Sequence, residues 1–300
     1  MGGSRGLRGA WVAGAGALAL LLSLAMAPAA LAADADFVGA SSDGSVVFFE
    51  TDEQLTADDT DSAQDVYKRS GGTTSRVSRG AINGSGVIGA FFEGASKDGS
   101  KVFFSTEEQL TADDTDGFVD IYRRKGGVTT LISAGQINGN GAFSAFFQGV
   151  SNDGSKVFFR TGEQLTADDT DGAQDVYRRK GGVTTLISAG QINGNGAFDA
   201  VFQGASNDGS KVFFQTEEKL VAGDTDGLFD VYRRKGGVTT RISAGEINGN
   251  GAFNATFAGA SSDGSKVFFV TSEPLVPADT DGDQDVYRRK GGVTTLLSRP

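Results

Sequence analysis

The sequence predicts an all-β protein made of five copies of one unit, on three observations. The five tyrosines, Tyr67, Tyr122, Tyr177, Tyr232 and Tyr287, are spaced 55 residues apart. Each closes the same segment, which in the third copy reads Leu165-Thr-Ala-Asp-Asp-Thr-Asp-Gly-Ala-Gln-Asp-Val-Tyr177. Beyond residue 32 there is no helical apolar period, only short β-prone runs separated by turn residues. A self-similar period of this length fixes the plan of the chain before any single residue is read.

The third copy gives the elements in order. Phe147-Gln-Gly-Val-Ser151 is a first strand of small residues. Asn152-Asp-Gly-Ser155 is a turn, because Asp-Gly between two β-prone runs is a strong hairpin signal. Lys156-Val-Phe-Phe-Arg-Thr161 is a second strand whose adjacent Phe158 and Phe159 face opposite sides. Burial on both sides suits a sheet packed between two others. A polar loop over Glu163–Gly172 leads to a third strand, Asp175–Arg179. Lys180-Gly-Gly182 turns the chain into a fourth strand, Val183–Ser188, and Ala189–Gly196 is the linker to the next copy.

A four-stranded unit recurring at roughly 40–55 residues marks a β-propeller blade. The expected fold is therefore a five-bladed β-propeller of four-stranded antiparallel blades. Small first-strand residues suit crowding near the axis, and Thr-rich fourth strands suit an outer edge. The expected division is a signal peptide over 1–32, a short linker over 33–36 and a propeller over 37–300. The blades are 37–91, 92–146, 147–201, 202–256 and 257–300. Whole blades fill the chain, so no spare strand is left to complete a blade from both termini. Ring closure would rest on packing between blades one and five; the alternatives are an open array or self-assembly with other copies through unclosed ring ends.

Composition removes several kinds of chemistry. There is no Cys, which excludes disulfides and thiol nucleophiles, and no His, the usual imidazole base and common zinc ligand. Arg5 and Arg8 precede an apolar run over Ala10–Met26, and Ala30-Leu-Ala32 is a small-x-small cleavage signal. This reads as a secretory signal cut after Ala32, with an uncleaved anchor as the alternative. No Cys follows the cut, so a lipid anchor there is excluded. The mature chain would carry 25 basic against 38 acidic residues, a formal charge of −13. Such a surface repels nucleic acid and anionic lipid.

The repeated elements resemble the WD40-like repeats of the TolB type, also called PD40 repeats. The matching parts are Ser-x-Asp-Gly before a Val-Phe-Phe strand, Asp-Thr-Asp-Gly, Asp-Val-Tyr, and a Gly-Gly-Val-Thr-Thr strand ending in Ser. The resemblance spans 37–300 and implies a β-propeller in an extracytoplasmic bacterial setting (periplasm, cell wall or exterior). It implies no activity, since propellers host many functions.

The sharpest candidate site is the acidic loop. Its residues are Asp59, Asp61 and Asp65 in copy one, Asp114, Asp116 and Asp120 in copy two, and Asp169, Asp171 and Asp175 in copy three. Copy four has Asp224, Asp226 and Asp230, and copy five Asp279, Asp281 and Asp285. Carboxylates two apart followed by Gly are what Ca²⁺ asks of a short loop. The pattern resembles part of the Asp-x-Asp-x-Asp-Gly-x-x-Asp calcium loop, but its first position is Ala57, Ala112, Ala167, Ala222 or Pro277. A site one ligand short would lean on carbonyls and water. The alternative is that these side chains hold the loop as Asx-turns.

A second candidate is the basic run that follows each Tyr: Arg123-Arg-Lys125, Arg178-Arg-Lys180, Arg233-Arg-Lys235 and Arg288-Arg-Lys290, with Lys68-Arg-Ser70 in copy one. Alternating strands put these turns on the face opposite the acidic loops, which share theirs with the Asn-Gly-Asn-Gly linkers. The runs either pair with carboxylates of neighbouring strands or dock an anionic polymer. The tyrosines either pack between blades or, with the linker asparagines, bind sugars. A glycosidase needs two carboxyls in unlike environments, and near-identical blades give five alike. The function expected is a secreted non-enzymatic binding or scaffold module, its ligand on the acidic-loop face. A multivalent carbohydrate binder is the alternative, and a glycoside hydrolase a more distant one.

Overall fold

Each copy of the repeat folds into its own four-stranded antiparallel sheet, with strands paired in chain order. The computed structural model describes residues 34–299, so the signal-peptide expectation for 1–32 lies outside the described residues. In blade three the strands are Phe146–Val150, Lys156–Thr161, Asp175–Lys180 and Val183–Leu186. The other blades repeat these bounds at a 55-residue offset. The fourth strand is two residues shorter than the sequence suggests. The ladder breaks where Ser188 turns its hydroxyl to Asp175 and accepts the Val176 N–H. The β-propeller blade is thus built five times over, and no helix among the described residues is long and apolar enough to cross a membrane.

Local chemistry accounts for each turn. In the first turn of blade three, Asp153 Oδ1 accepts the Ser155 N–H at 3.0 Å and the Ser151 hydroxyl at 2.6 Å. Gly154 follows at φ 64°, in the left-handed region that Gly enters without penalty. Each first strand carries a bulge, which in blade three falls between Phe158 and Phe159 of its partner strand. Such bulges sharpen the local twist, and the same one recurs in all five blades.

The two adjacent Phe residues of each second strand join a blade to both neighbours. Phe159 packs backward with Phe103, Ile121 and Ile132 of blade two, and stacks on Tyr177 at 5.7 Å. Phe158 packs forward with Ala200, Val212 and Phe214 of blade four, and stacks on Phe202 at 5.5 Å. Full burial of each ring stabilises by about 1.5–3 kcal/mol. First strands lie against one another, and small residues there are required. A Cβ at Gly94 would come within 3.2 Å of the Phe147 ring. Main-chain hydrogen bonds also step from turn to turn: Ser42 to Lys97, Lys97 to Asn152, Asn152 to Asn207, and Asn207 to Ser262, at 2.7–2.8 Å.

Four apolar cores join successive blades, and among the described residues none joins blade five to blade one. On the forward side of blade five, Val286 is 36% and Leu297 40% exposed, while Val176 and Ile187 of blade three are sealed. On the rear side of blade one, Phe37 is 70% and Leu55 42% exposed. Among the described residues, then, the outer faces of blades one and five are left partly exposed and no apolar core joins them.

Candidate functional site

The five acidic loops fold alike, each around its tyrosine. The third strand returns Tyr177 beneath the loop that precedes it, so its hydroxyl donates to Asp169 Oδ2. The same donation links Tyr67 to Asp59, Tyr122 to Asp114, Tyr232 to Asp224 and Tyr287 to Asp279. All five tyrosines are fully buried, so none is a sugar platform. The middle Asp forms an Asx-turn: Asp171 Oδ1 accepts the Ala173 N–H at 2.7 Å, and Asp116, Asp61, Asp226 and Asp281 do the same two residues on. The third Asp opens the strand and accepts a Ser hydroxyl, from Ser188 in blade three and Ser133 in blade two.

These contacts bring the sequence-predicted residues together. In every blade one carboxylate oxygen from each of the three Asp lies within 4.8 Å of the other two. The first and third Asp are buried and the middle one half-buried, except in blade five, where Asp281 is exposed.

Two residues that the loop pattern does not reveal divide the five loops into two kinds. Opposite each Tyr on the fourth strand stands Arg76, Leu131, Leu186, Arg241 or Leu296. In blade four Arg241 Nη1 lies 3.1 Å from Asp230 Oδ2, 3.5 Å from Asp224 Oδ1 and 4.0 Å from Asp226 Oδ2. In blade one Arg76 Nη1 takes the same place, 3.0 Å from Asp65, 3.6 Å from Asp59 and 4.0 Å from Asp61. A fourth oxygen comes from the linker above: Asn250 Oδ1 is 3.0 Å from Arg241 Nη1. Its counterparts Asn140 and Asn195 accept the Thr115 and Thr170 N–H groups as Asn250 accepts that of Thr225. In blades two, three and four the linker thus brings an amide oxygen to the loop.

In blades two and three leucine stands in place of the arginine, and one oxygen of the third Asp is left without a partner. Asp120 Oδ2 and Asp175 Oδ2 are buried with no hydrogen-bond partner. Burial pushes both carboxyls up to about 8, against the pull of Ser133 and Ser188. Asp114 and Asp169 push the same way, as do Glu163 and Glu218 from the following blade. Burial also raises Asp65 to about 6 and Asp230 to about 7, where Arg76 and Arg241 oppose the rise.

Among the described residues no salt bridge joins the basic runs to a carboxylate, so the first of the two expected roles is corrected. Arg179 Nη1 instead donates to the Ala134 carbonyl of the preceding blade and to Thr184 Oγ1, and Arg234 and Arg289 repeat the contact one blade on. The carbonyl that ends one blade lacks a strand partner, and the next blade's guanidinium supplies the donor.

The linkers carry a feature read from sequence only as Asn- and Gly-rich. Gly190 lies so close to Leu220 of blade four that a Cβ would overlap the Leu220 carbonyl, and Gly80, Gly135 and Gly245 repeat the approach. With the backbone pinned there, the apolar side chains face outward. Ile82, Ile137, Ile192 and Ile247 are 55–59% exposed. Ile88, Phe143, Phe198 and Phe253 stand exposed six residues later.

No family model matches the chain, and no curated protein matches it. Solved structures similar to it include a chain from a structural and mechanistic study of two prolyl endopeptidases, at 11% identity and TM-score 0.49, over 87% of this chain and 36% of that one. A putative dipeptidyl aminopeptidase IV from Bacteroides ovatus gives 10% identity and TM-score 0.47 over 87% and 39%. The β-propeller domain of the Trilobed protease from Pyrococcus furiosus, described as having an open velcro topology, gives 12% identity and TM-score 0.38 over 88% and 84%. The chain thus spans well under half of the two peptidases. The class of protein defined here, an all-β propeller protein of five four-stranded blades, rests on the strand pairing and the inter-blade cores rather than on these likenesses.

Proposed function

We propose that this chain is a non-enzymatic binding or scaffold propeller of the TolB-like kind, acting outside the cytoplasm, and that it meets a protein partner on the face of acidic loops and linkers. One observation carries the reading: a pair of exposed large apolar side chains recurs in four successive linkers, Ile137 with Phe143 and Ile192 with Phe198 among them. Apolar groups held in water at regular spacing gain free energy when a partner covers them. An apolar centre with a charged rim is the anatomy of a protein contact. Four such contacts in series would give avidity from weak single sites. The same Asp triad recurs in all five blades, whereas a single active site would need one divergent copy, which supports a non-catalytic role. The acidic surface disfavours nucleic acid and anionic lipid.

The test compares two multiple variants in crosslinking and capture from the native extracytoplasmic fraction. One changes Ile137, Ile192, Ile247 and Phe198 to Ser; the control changes Val128, Val183 and Val238, exposed on the opposite face, to Ser. Loss of the captured protein with the linker variant alone supports the reading. Equal capture by both removes it. A second reading keeps one observation of its own: Phe143 lines a groove of about 450 Å³ with Asn138, Glu163 and Asp171, an aromatic beside amide and carboxylate as a sugar ring would need. A glycan array without hits excludes it.

A further inference from the structure

We infer that the loops of blades two and three are two Ca²⁺ sites, and that Arg76 and Arg241 are built-in substitutes for the ion in blades one and four. The first site is formed by Asp114, Asp116, Asp120 and Asn140, the second by Asp169, Asp171, Asp175 and Asn195.

The argument is a comparison of one loop with itself. In blade four, one guanidinium nitrogen sits among oxygens of Asp224, Asp226, Asp230 and Asn250, at 3.0–4.0 Å. That point is where a positive charge belongs in this loop. Blades two and three keep the same three Asp, with oxygens within 4.8 Å of one another, and the same Asn, held by the same Thr N–H. They differ in having Leu131 and Leu186 on the strand below, which bring no charge.

The loops also carry a mark of a missing partner. Asp120 is 6% and Asp175 5% exposed, and the Oδ2 of each has no hydrogen-bond partner. Buried ionised carboxylates without a partner are costly. A hard cation removes the cost, and oxygens bound to one Ca²⁺ at about 2.3–2.6 Å lie no more than about 5 Å apart, as these do. An all-oxygen set with mixed carboxylate and amide donors suits Ca²⁺ and offers no nitrogen or sulfur to a transition metal. Blade five is set apart: Asp281 is exposed, Arg299 stands 3.6 Å from it, and no linker Asn covers the loop among the described residues.

The inference is independent of the partner proposed above, because it is read by counting bound ions. Equilibrium dialysis of the full mature chain against ⁴⁵Ca²⁺, up to about 5 mM to include weak extracellular-type sites, is expected to give two ions per chain. Leu186→Arg, which copies blades one and four, should lower the count to one, and Arg241→Leu, which copies blades two and three, should raise it to three. Since Leu186 is a core residue, Asp171→Asn is the second route to one ion, leaving the core untouched. No bound calcium in the parent, or a count that stays at two in both Arg241→Leu and Asp171→Asn, would overturn the assignment.

Discussion

Arg241 and Asp230 form a buried ion pair, with Nη1 3.1 Å from Oδ2 and both side chains only 7% exposed. The pair stands where blade three has Leu186 facing the same three carboxylates. Removing one partner of a buried pair leaves the other charge without compensation, at a typical cost of about 3–5 kcal/mol. Arg241→Leu in excess chelator is therefore expected to lower unfolding stability by about that amount, measured by urea denaturation. Added calcium should restore part of it. A variant within about 1 kcal/mol of the parent in chelator would show that the Asp224–Asp230 loop needs no cation.

The Tyr177 hydroxyl donates to Asp169 Oδ2 and also reaches the Glu163 carbonyl at 3.1 Å, so one hydroxyl ties loop to strand. Tyr177→Phe keeps the ring stack on Phe159 and deletes only the hydroxyl, which donates to Asp169 and accepts the Leu165 N–H. The cost expected is about 1–3 kcal/mol, the range for leaving a buried acceptor without its partner. The same change in the other blades should cost similar amounts, because the contact recurs in each. A set of five Tyr→Phe melts checks this, and a null effect at Tyr177 would reduce the bond to a passive contact.

Much of this arrangement is legible in the sequence, and the unread part has physical causes. The Phe158-Phe159 pair announces a sheet buried on both faces because side chains alternate along a strand. The 55-residue period fixes every strand once one copy is read. The triads are visible as a pattern, and the loop does bring them together. The Asn-rich linkers are expected on the acidic-loop face, but the contact itself is not visible, because Asn195 lies 24 residues beyond Asp171 and meets the Thr170 N–H only through the linker's path. Arg76 and Arg241 go unremarked in the sequence, because their role depends on the register that sets them opposite Tyr67 and Tyr232. Charge suggests charge, so the sequence offers carboxylates or an anionic polymer as partners of the basic runs. The nearest unmet groups were main-chain carbonyls such as that of Ala134, which a sequence does not display.

The two end faces should respond differently from the four interior ones. Ile187 is 2% exposed within the core shared by blades three and four, and its counterpart Leu297 is 40% exposed. Ile187→Ala should cost about 2–5 kcal/mol, as for other large-to-small core changes. Leu297→Ala should cost under about 1 kcal/mol, since it leaves no cavity. Equal costs in parallel denaturation curves would mean that the end faces are covered in solution, by closure or by another copy.

Linker geometry makes a further demand on one glycine. A Cβ at Gly190 would overlap the Leu220 carbonyl, where Gln191 N–H also bonds at 2.9 Å. Gly190→Ala must move the linker or the loop beneath it, and overpacking of this kind costs about 1–3 kcal/mol. Gly172→Ala is the matched control, because nothing lies within 4 Å of its added methyl. Thermal melts should separate the two, and a neutral Gly190→Ala would show that the linker is not pinned.

The first turn of each blade is expected to contribute to the acid limit. Asp98 Oδ1 accepts the Ser100 N–H at 3.1 Å and the Ser96 hydroxyl at 2.5 Å, and these bonds hold its carboxyl down to about 2. Asp43, with the same partners, also falls to about 2, and Asp153, Asp208 and Asp263 are lowered too. A carboxyl whose folded value lies below its unfolded value binds fewer protons when folded, so stability rises with pH between the two. The contribution is complete above the unfolded value near 4 and is lost as pH falls through about 2. Asp98→Asn keeps an oxygen for the Ser donors but cannot titrate. Its stability curve between pH 5 and pH 2 should therefore be flatter than that of the parent, with each further turn changed flattening it more. Parallel curves for parent and variant would place the acid limit elsewhere than in these five turns.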